Sequence, residues 1–262
     1  MSKNPFSLRV KELLKELRLA AVRESFQYKA DEARQEQVDY IDYLYELLEL
    51  ECSQRRHKSI ERRLRESLLP LEKGFETLNI KRFGRKVSQQ IKILRDGGYI
   101  ERCENVIVFG KPGNGKTHLL AALGQEPVRS GKRIYFSTCS LLVQQLLRAK
   151  KELMLDKFLK KLSRFDAVII DDMGYVQHDR EEMDVLFTLL ASRYERGSVL
   201  ISSNLSFSKW ETVFKDPMTT AAAIDRLIHH CMILEIDVPS YRMEYAQNMK
   251  SKQGGNHEKP KK

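Results

Sequence analysis

Apolar positions change their rhythm along the chain. Within residues 1–75 they recur at helical spacing: Val10, Leu13, Leu14, Leu17, Ala20 and Ala21 make one stripe at i, i+3, i+4 intervals. A second helix is predicted from about Asp39 to beyond Arg65, carried by Ile41, Leu44, Leu48, Ile60, Leu64 and Leu68, with Pro70 and Gly74 punctuating its end. Residues 76–104 are mixed and read as a connecting segment. Short apolar runs at 106–109, 134–137, 167–170, 199–202 and 232–236 then alternate with helix-like stretches at 116–129, 140–162, 180–196 and 219–230. That alternation predicts an α/β domain over 105–245, a parallel sheet flanked by helices, behind a small all-helical N-terminal domain. Residues 246–262 are basic, lack an apolar pattern and read as a disordered tail.

The first apolar run leads straight into candidate chemistry. Gly110, Lys111, Pro112, Gly113, Asn114, Gly115, Lys116 and Thr117 fit GxxxxGK[ST], between a predicted strand and a predicted helix. Glycines let the backbone wrap closely enough for its N–H groups to face phosphate oxygens, and the helix N-terminus adds positive potential. Lys116 is placed to reach the β- and γ-phosphates, and the Thr117 hydroxyl to ligate Mg²⁺.

The run 167–170 ends in Asp171 and Asp172, some 55 residues beyond the loop. In such a site the first acid organises the magnesium shell and the second positions the attacking water. The next run ends at Ser203 and Asn204, whose amide would hold that water or touch the γ-phosphate; a turn-forming Asn is the alternative. Arg226, in an apolar helical run, is either a finger given to a neighbouring subunit or a surface partner of Asp225 or Glu235. Arg242 by itself reads as solvated. His118 adjoins the loop and is counted among its nucleotide-binding positions, although His118, His229 and His230 taken alone read as packing or surface histidines.

Composition narrows the partners. The chain has 262 residues, 42% of them hydrophobic, and a formal net charge of +10 that favours an anionic partner. Arg55, Arg56, Lys58, Arg62, Arg63 and Arg65 crowd one predicted helix, and Lys150 and Lys151 open a basic stretch of another. Both are candidate contacts to double-stranded DNA, with a solvated helix face as the alternative. The four cysteines are far apart, which argues against a zinc site or a disulfide framework. There is no signal-peptide core and no apolar run of roughly 18–20 residues, so no membrane partner and a cytoplasmic location are expected.

With these residues in hand, the chain resembles the AAA+ ATPases, and within them the IstB-like transposition helpers, relatives of the DnaC-type helicase loaders. The resemblance runs from Leu13 to about Arg242 and is carried by the stretches 104–124, 169–204, 221–230 and 239–243. It implies an ATPase with ATP and Mg²⁺ as cofactors. Lys116 and Thr117 would contact phosphate and magnesium, Asp171 would organise the magnesium, and Asp172 would orient the water. Asn204 would sense the γ-phosphate, Arg226 would act in trans, and Arg242 would be a second sensor in cis. It further implies a homo-oligomer (ring, spiral or filament) that binds DNA and serves a partner transposase. A replicative helicase loader and a non-hydrolysing, ATP-gated scaffold stay open as alternatives. Two departures stand out: Asp172 where many AAA+ proteins carry Glu, and Lys111 where the family usually has Pro.

Overall fold

The computed structural model describes residues 6–174, 179–214, 217–241 and 244; Arg242 and the 246–262 tail lie outside them. Two compact units divide the chain, Met1–Arg62 and Arg63–Lys262. The division falls inside a helix, whereas the apolar pattern had put it at residue 75.

The first unit holds α1 (Ser7–Glu16), α2 (Ala20–Glu36) and most of α3 (Tyr40–Ser67). The stripe read as one helix breaks at Arg18, whose φ of 56° reverses the chain. The new helix start needs partners for its free N–H groups, and Glu51 of α3 supplies them. Its Oε2 accepts from the N–H groups of Ala21 (2.8 Å) and Val22 (3.3 Å), while Oε1 accepts from Arg55 Nε at 2.8 Å. Burial raises the Glu51 pKa, but the bonds from Arg55 and the two backbone amides outweigh it and hold the carboxyl below its ordinary value.

The second unit continues through a 3-10 turn (Ile80–Phe83), α4 (Gly84–Arg95) and α5 (Gly98–Glu101) into the sheet. Then follow β1 (Asn105–Gly110), α6 (Lys116–Arg129), β2 (Ile134–Thr138), α7 (Cys139–Lys151), α8 (Leu155–Leu162) and β3 (Ala167–Met173). After these come α9 (Arg180–Arg193), β4 (Ser198–Ser203), α10 (Phe207–Phe214), α11 (Pro217–Ile228) and β5 (Cys231–Ile236). The strands are parallel in the order β2-β3-β4-β1-β5. Helical crossovers cover both faces, which is why β1, β3 and β4 are continuous rather than alternating apolar runs. The predicted stretch 140–162 is two helices, because Leu153, at φ 56°, turns the chain between α7 and α8.

One face packs Leu142, Leu146, Leu186 and Leu190 of α7 and α9 against the sheet. The other packs Leu119, Leu120 and Leu123 of α6 with Phe83, Val87, Ile91 and Leu94, so much of the segment read as a connection is core. The residues that lock this packing are spread widely in sequence. Pro127, in the last turn of α6, cannot donate to the Leu123 carbonyl, and the buried Tyr99 hydroxyl donates there instead at 3.3 Å.

Candidate functional site

All five strands point their carboxyl ends to one edge, where open parallel sheets bind ligands. Because β4 lies between β1 and β3, the end of β4 sits between the phosphate loop and the paired acids.

Gly113 and Gly115 take φ values of 82° and 90°, a region that costs other residues strain. A Cβ on Gly113 would also run into the Ser240 hydroxyl, so glycine is required there twice over. Lys116 is buried, and its Nζ donates to the carbonyls of Gly110 (2.7 Å) and Lys111 (3.0 Å), inside the curve of the loop. Asn114 is spent on structure, its Nδ2 donating to the Ile236 carbonyl at 3.0 Å. Lys111 and Pro112 are exposed, and Lys111 pairs with Asp237 at 3.8 Å. Thr117 is half-buried on the first turn of α6. The His118 Nε2 lies 3.1 Å from Thr77 Oγ1 and 3.0 Å from the Gly74 carbonyl, which ties α6 to the preceding segment.

At the acidic end, Asp171 is buried and Asp172 exposed. The register slips between Ile170 and Met173, and Asp172 sits at φ 57° in the resulting bulge. Ser202 bridges both acids. Its Oγ donates to Asp171 Oδ1 at 2.5 Å and accepts from the Asp172 N–H at 2.9 Å. Beside it Asn204 Oδ1 is buried with no hydrogen-bond partner among the described residues. A buried amide oxygen without a donor is costly unless a ligand or water completes it.

This set fits a triphosphate with magnesium. A glycine cradle and a helix N-terminus suit the anion, Thr117 and Asp171 supply the hard oxygen donors that Mg²⁺ prefers, and the Asn204 oxygen awaits a donor. A cavity of about 400 Å³ adjoins the loop, lined by Lys111, Pro112, Asn114 and residues 237–240.

Several residues of the site were missed in the sequence. Ser202 gave only the weak signal of a hydroxyl inside an apolar run. Arg82 gave none. Its guanidinium lies 3.8 Å over the Tyr241 ring and pairs with both oxygens of Glu244 at 2.7 and 2.9 Å; it also donates to the Pro239 carbonyl at 2.9 Å. The Tyr241 N–H donates in turn to the Gly113 carbonyl at 3.0 Å, so this strap closes on the phosphate loop.

The remaining predicted residues make none of these contacts. Arg226 is exposed in the last turn of α11, which leads into the amino end of β5. Arg55 is drawn into the Glu51 cap and donates to the Arg18 carbonyl at 2.5 Å. Arg56, Lys58 and Arg62 are exposed on α3; Arg63 is half-buried and Arg65 exposed in the second unit. Lys150 and Lys151 are exposed at the end of α7, next to a groove of about 540 Å³ lined by Arg148, Lys157, Lys160, Lys161 and Arg164.

Phosphate loop, acidic strand and strand order together define an AAA+ ATP-binding protein of the P-loop class. The fold is shared with the DnaC helicase loader, at 18% identity and a TM-score of 0.51 over 58% of this chain and 89% of that one. It is also shared with AMPPCP-bound DnaA from Aquifex aeolicus, at 18% identity and a TM-score of 0.55 over 71% of this chain and 57% of that one. A model of the IstB-like ATP binding protein family matches residues 12–249, and the chain belongs to that family. A relative from Sinorhizobium fredii that carries the name insertion sequence ATP-binding protein is 37% identical over 92% of this chain and 82% of its own length. The similarly named IS5376 protein of Geobacillus stearothermophilus is 33% identical over 94% of this chain and 98% of its own. Among the described residues, no helix is long and apolar enough to cross a membrane.

Proposed function

We propose that this protein is the ATP-hydrolysing, DNA-binding helper of an insertion-sequence transposase, assembling on target DNA through ATP held between protomers. The observation that carries the reading is the distance of Arg226 from its own phosphate loop. The loop follows the carboxyl end of β1, whereas Arg226 lies in the last turn of α11, just before the amino end of β5, the parallel neighbour of β1. Strands of six residues separate the two edges by about 20 Å at roughly 3.3 Å per residue. No side chain spans that gap. An arginine there completes an ATP site only on another copy, in a head-to-tail contact that repeats into a ring, spiral or filament.

Within one site, Lys116 and the loop amides hold the β- and γ-phosphates, and Asp171, fixed by Ser202, faces the metal-binding side with Thr117. Magnesium, when bound, neutralises phosphate charge. Asp172 and Asn204 orient the attacking water, and Arg226 of the neighbour stabilises the charge that grows in the transition state. ATP thus makes protomers adhere and its loss releases them. The net charge of +10 and the exposed cations of α3, α7 and α8 support a DNA surface read by charge rather than by base. The relatives are named for insertion sequences, which supports a mobile-element setting for the helper.

Light scattering with duplex DNA and a slowly hydrolysed ATP analogue tests the reading. Wild type should form large assemblies that dissolve at high salt, and Arg226→Ala should neither assemble nor hydrolyse ATP. Normal assembly and turnover in Arg226→Ala would overturn it.

A further inference from the structure

At the amino edge of the sheet, away from the nucleotide loop, Glu195, His229 and His230 come together. Each offers one ligand atom, and the three atoms lie within 4.8 Å of one another on the surface. Two turns from distant parts of the chain supply them, and both turns are anchored. Glu195 occupies the turn between α9 and β4 at φ 57°, an unusual conformation for a residue with a side chain. The buried Arg193 guanidinium holds the base of that turn, donating to the carbonyls of Leu162, Phe165, Asp166 and Ser198 at 2.9–3.3 Å. The histidines occupy the turn between α11 and β5. Asn105 ties the two turns together. Its N–H donates to the His230 carbonyl (2.7 Å), its Nδ2 to the Leu227 carbonyl (3.0 Å), and its Oδ1 accepts from the Val199 N–H (2.9 Å).

We infer that Glu195, His229 and His230 form a binding site for a transition-metal ion of the zinc class. Two imidazoles and a carboxylate are a donor set that suits Zn²⁺ and leaves a fourth position open. Ligands about 2.1 Å from a tetrahedral ion stand roughly 3.4 Å apart, a spacing that modest side-chain rotation reaches from here. The ring also has the outer support that metal-bound histidines carry: the Tyr194 hydroxyl lies 3.0 Å from His229 Nδ1. His229 is three residues beyond Arg226, so an ion here staples the end of the helix that carries it. The widely spaced cysteines take no part, which is why sequence spacing gave no hint of a metal.

The test uses the full-length, untagged chain, stripped with chelator and free of nucleotide. Zinc titration by calorimetry should give one saturable site per chain, and cobalt should give visible bands of a four- or five-coordinate ion. Glu195→Gln and His230→Ala should each weaken zinc at least ten-fold, and Tyr194→Phe should weaken it less. Cys52→Ser and Cys103→Ser should leave it unchanged. Zinc should raise the melting temperature of the wild type but not of Glu195→Gln. Absence of saturable zinc binding to the wild type, or equal affinity and equal thermal shift in wild type and Glu195→Gln, overturns the inference.

Discussion

Removing one oxygen atom, in Ser202→Ala, should disturb both the stability and the chemistry of the nucleotide site. Ser202 is fully buried, and its hydroxyl is shared between the Asp171 carboxylate and the Asp172 N–H. A hydrogen bond to a charged group contributes about 1.5–3 kcal/mol, and the Asp172 amide loses its acceptor as well. The cavity left by a hydroxyl is small, so the sum stays near about 2–3 kcal/mol. In a unit of this size that corresponds to a fall in melting temperature of roughly 4–12 °C. Circular dichroism melting in the absence of nucleotide measures it. A double-mutant cycle with Asp171→Asn should return a coupling of about 1 kcal/mol or more, since the two side chains share one bond. The variant should also need more magnesium for half-maximal ATPase activity, because Asp171 is no longer held in place. A melting shift under about 1 °C with no coupling would refute the role given to Ser202.

Two further outcomes concern Glu51 and Arg82. Glu51 caps α2 with a carboxyl whose pKa lies below its ordinary value, so its contribution is complete above about pH 4.5 and disappears as pH falls through the lowered value. Protection of the first amides of α2 in the full chain, relative to their intrinsic exchange at each pH, should fall over that range in the wild type and be low at all pH values in Glu51→Ala. Arg82→Ala should release the strap on the phosphate loop and raise the ATP KM about ten-fold with a smaller change in kcat, and Arg82→Lys should recover only part, since lysine cannot both stack and fork. An unchanged KM in Arg82→Ala would show that the strap does not shape the nucleotide site.

The central strands were legible because a strand buried on both faces is apolar through its middle; the runs at 106–109, 167–170 and 199–202 lie within β1, β3 and β4, and the edge runs at 134–137 and 232–236 lie within β2 and β5. The phosphate loop and the acid pair were legible for a different reason: their chemistry depends on neighbours in sequence. What escaped depends on partners far along the chain. Arg82 meets Glu244 and Pro239 more than 150 positions away, and Asn105 joins β4 to the turn before β5. The break at Arg18 was hidden because the apolar stripe runs straight through it, and only the backbone reversal, with Glu51 reaching across to cap the new helix, shows two helices. Residues 84–94 looked like a connection because Gly84, Arg85 and Lys86 dilute the apolar pattern before Val87, Ile91 and Leu94 begin to repeat.

Mixing two inactive variants tests the head-to-tail ATP site most directly. Lys116→Ala keeps its arginine but loses the phosphate grip; Arg226→Ala keeps the grip but lacks the arginine. In a one-to-one mixture about a quarter of contacts pair an intact loop with an intact arginine. ATPase activity should therefore reappear at up to about a quarter of the wild-type rate on DNA. If the mixture stays as inactive as its components while both variants melt at the wild-type temperature, Arg226 does not complete its neighbour's site and the account is wrong.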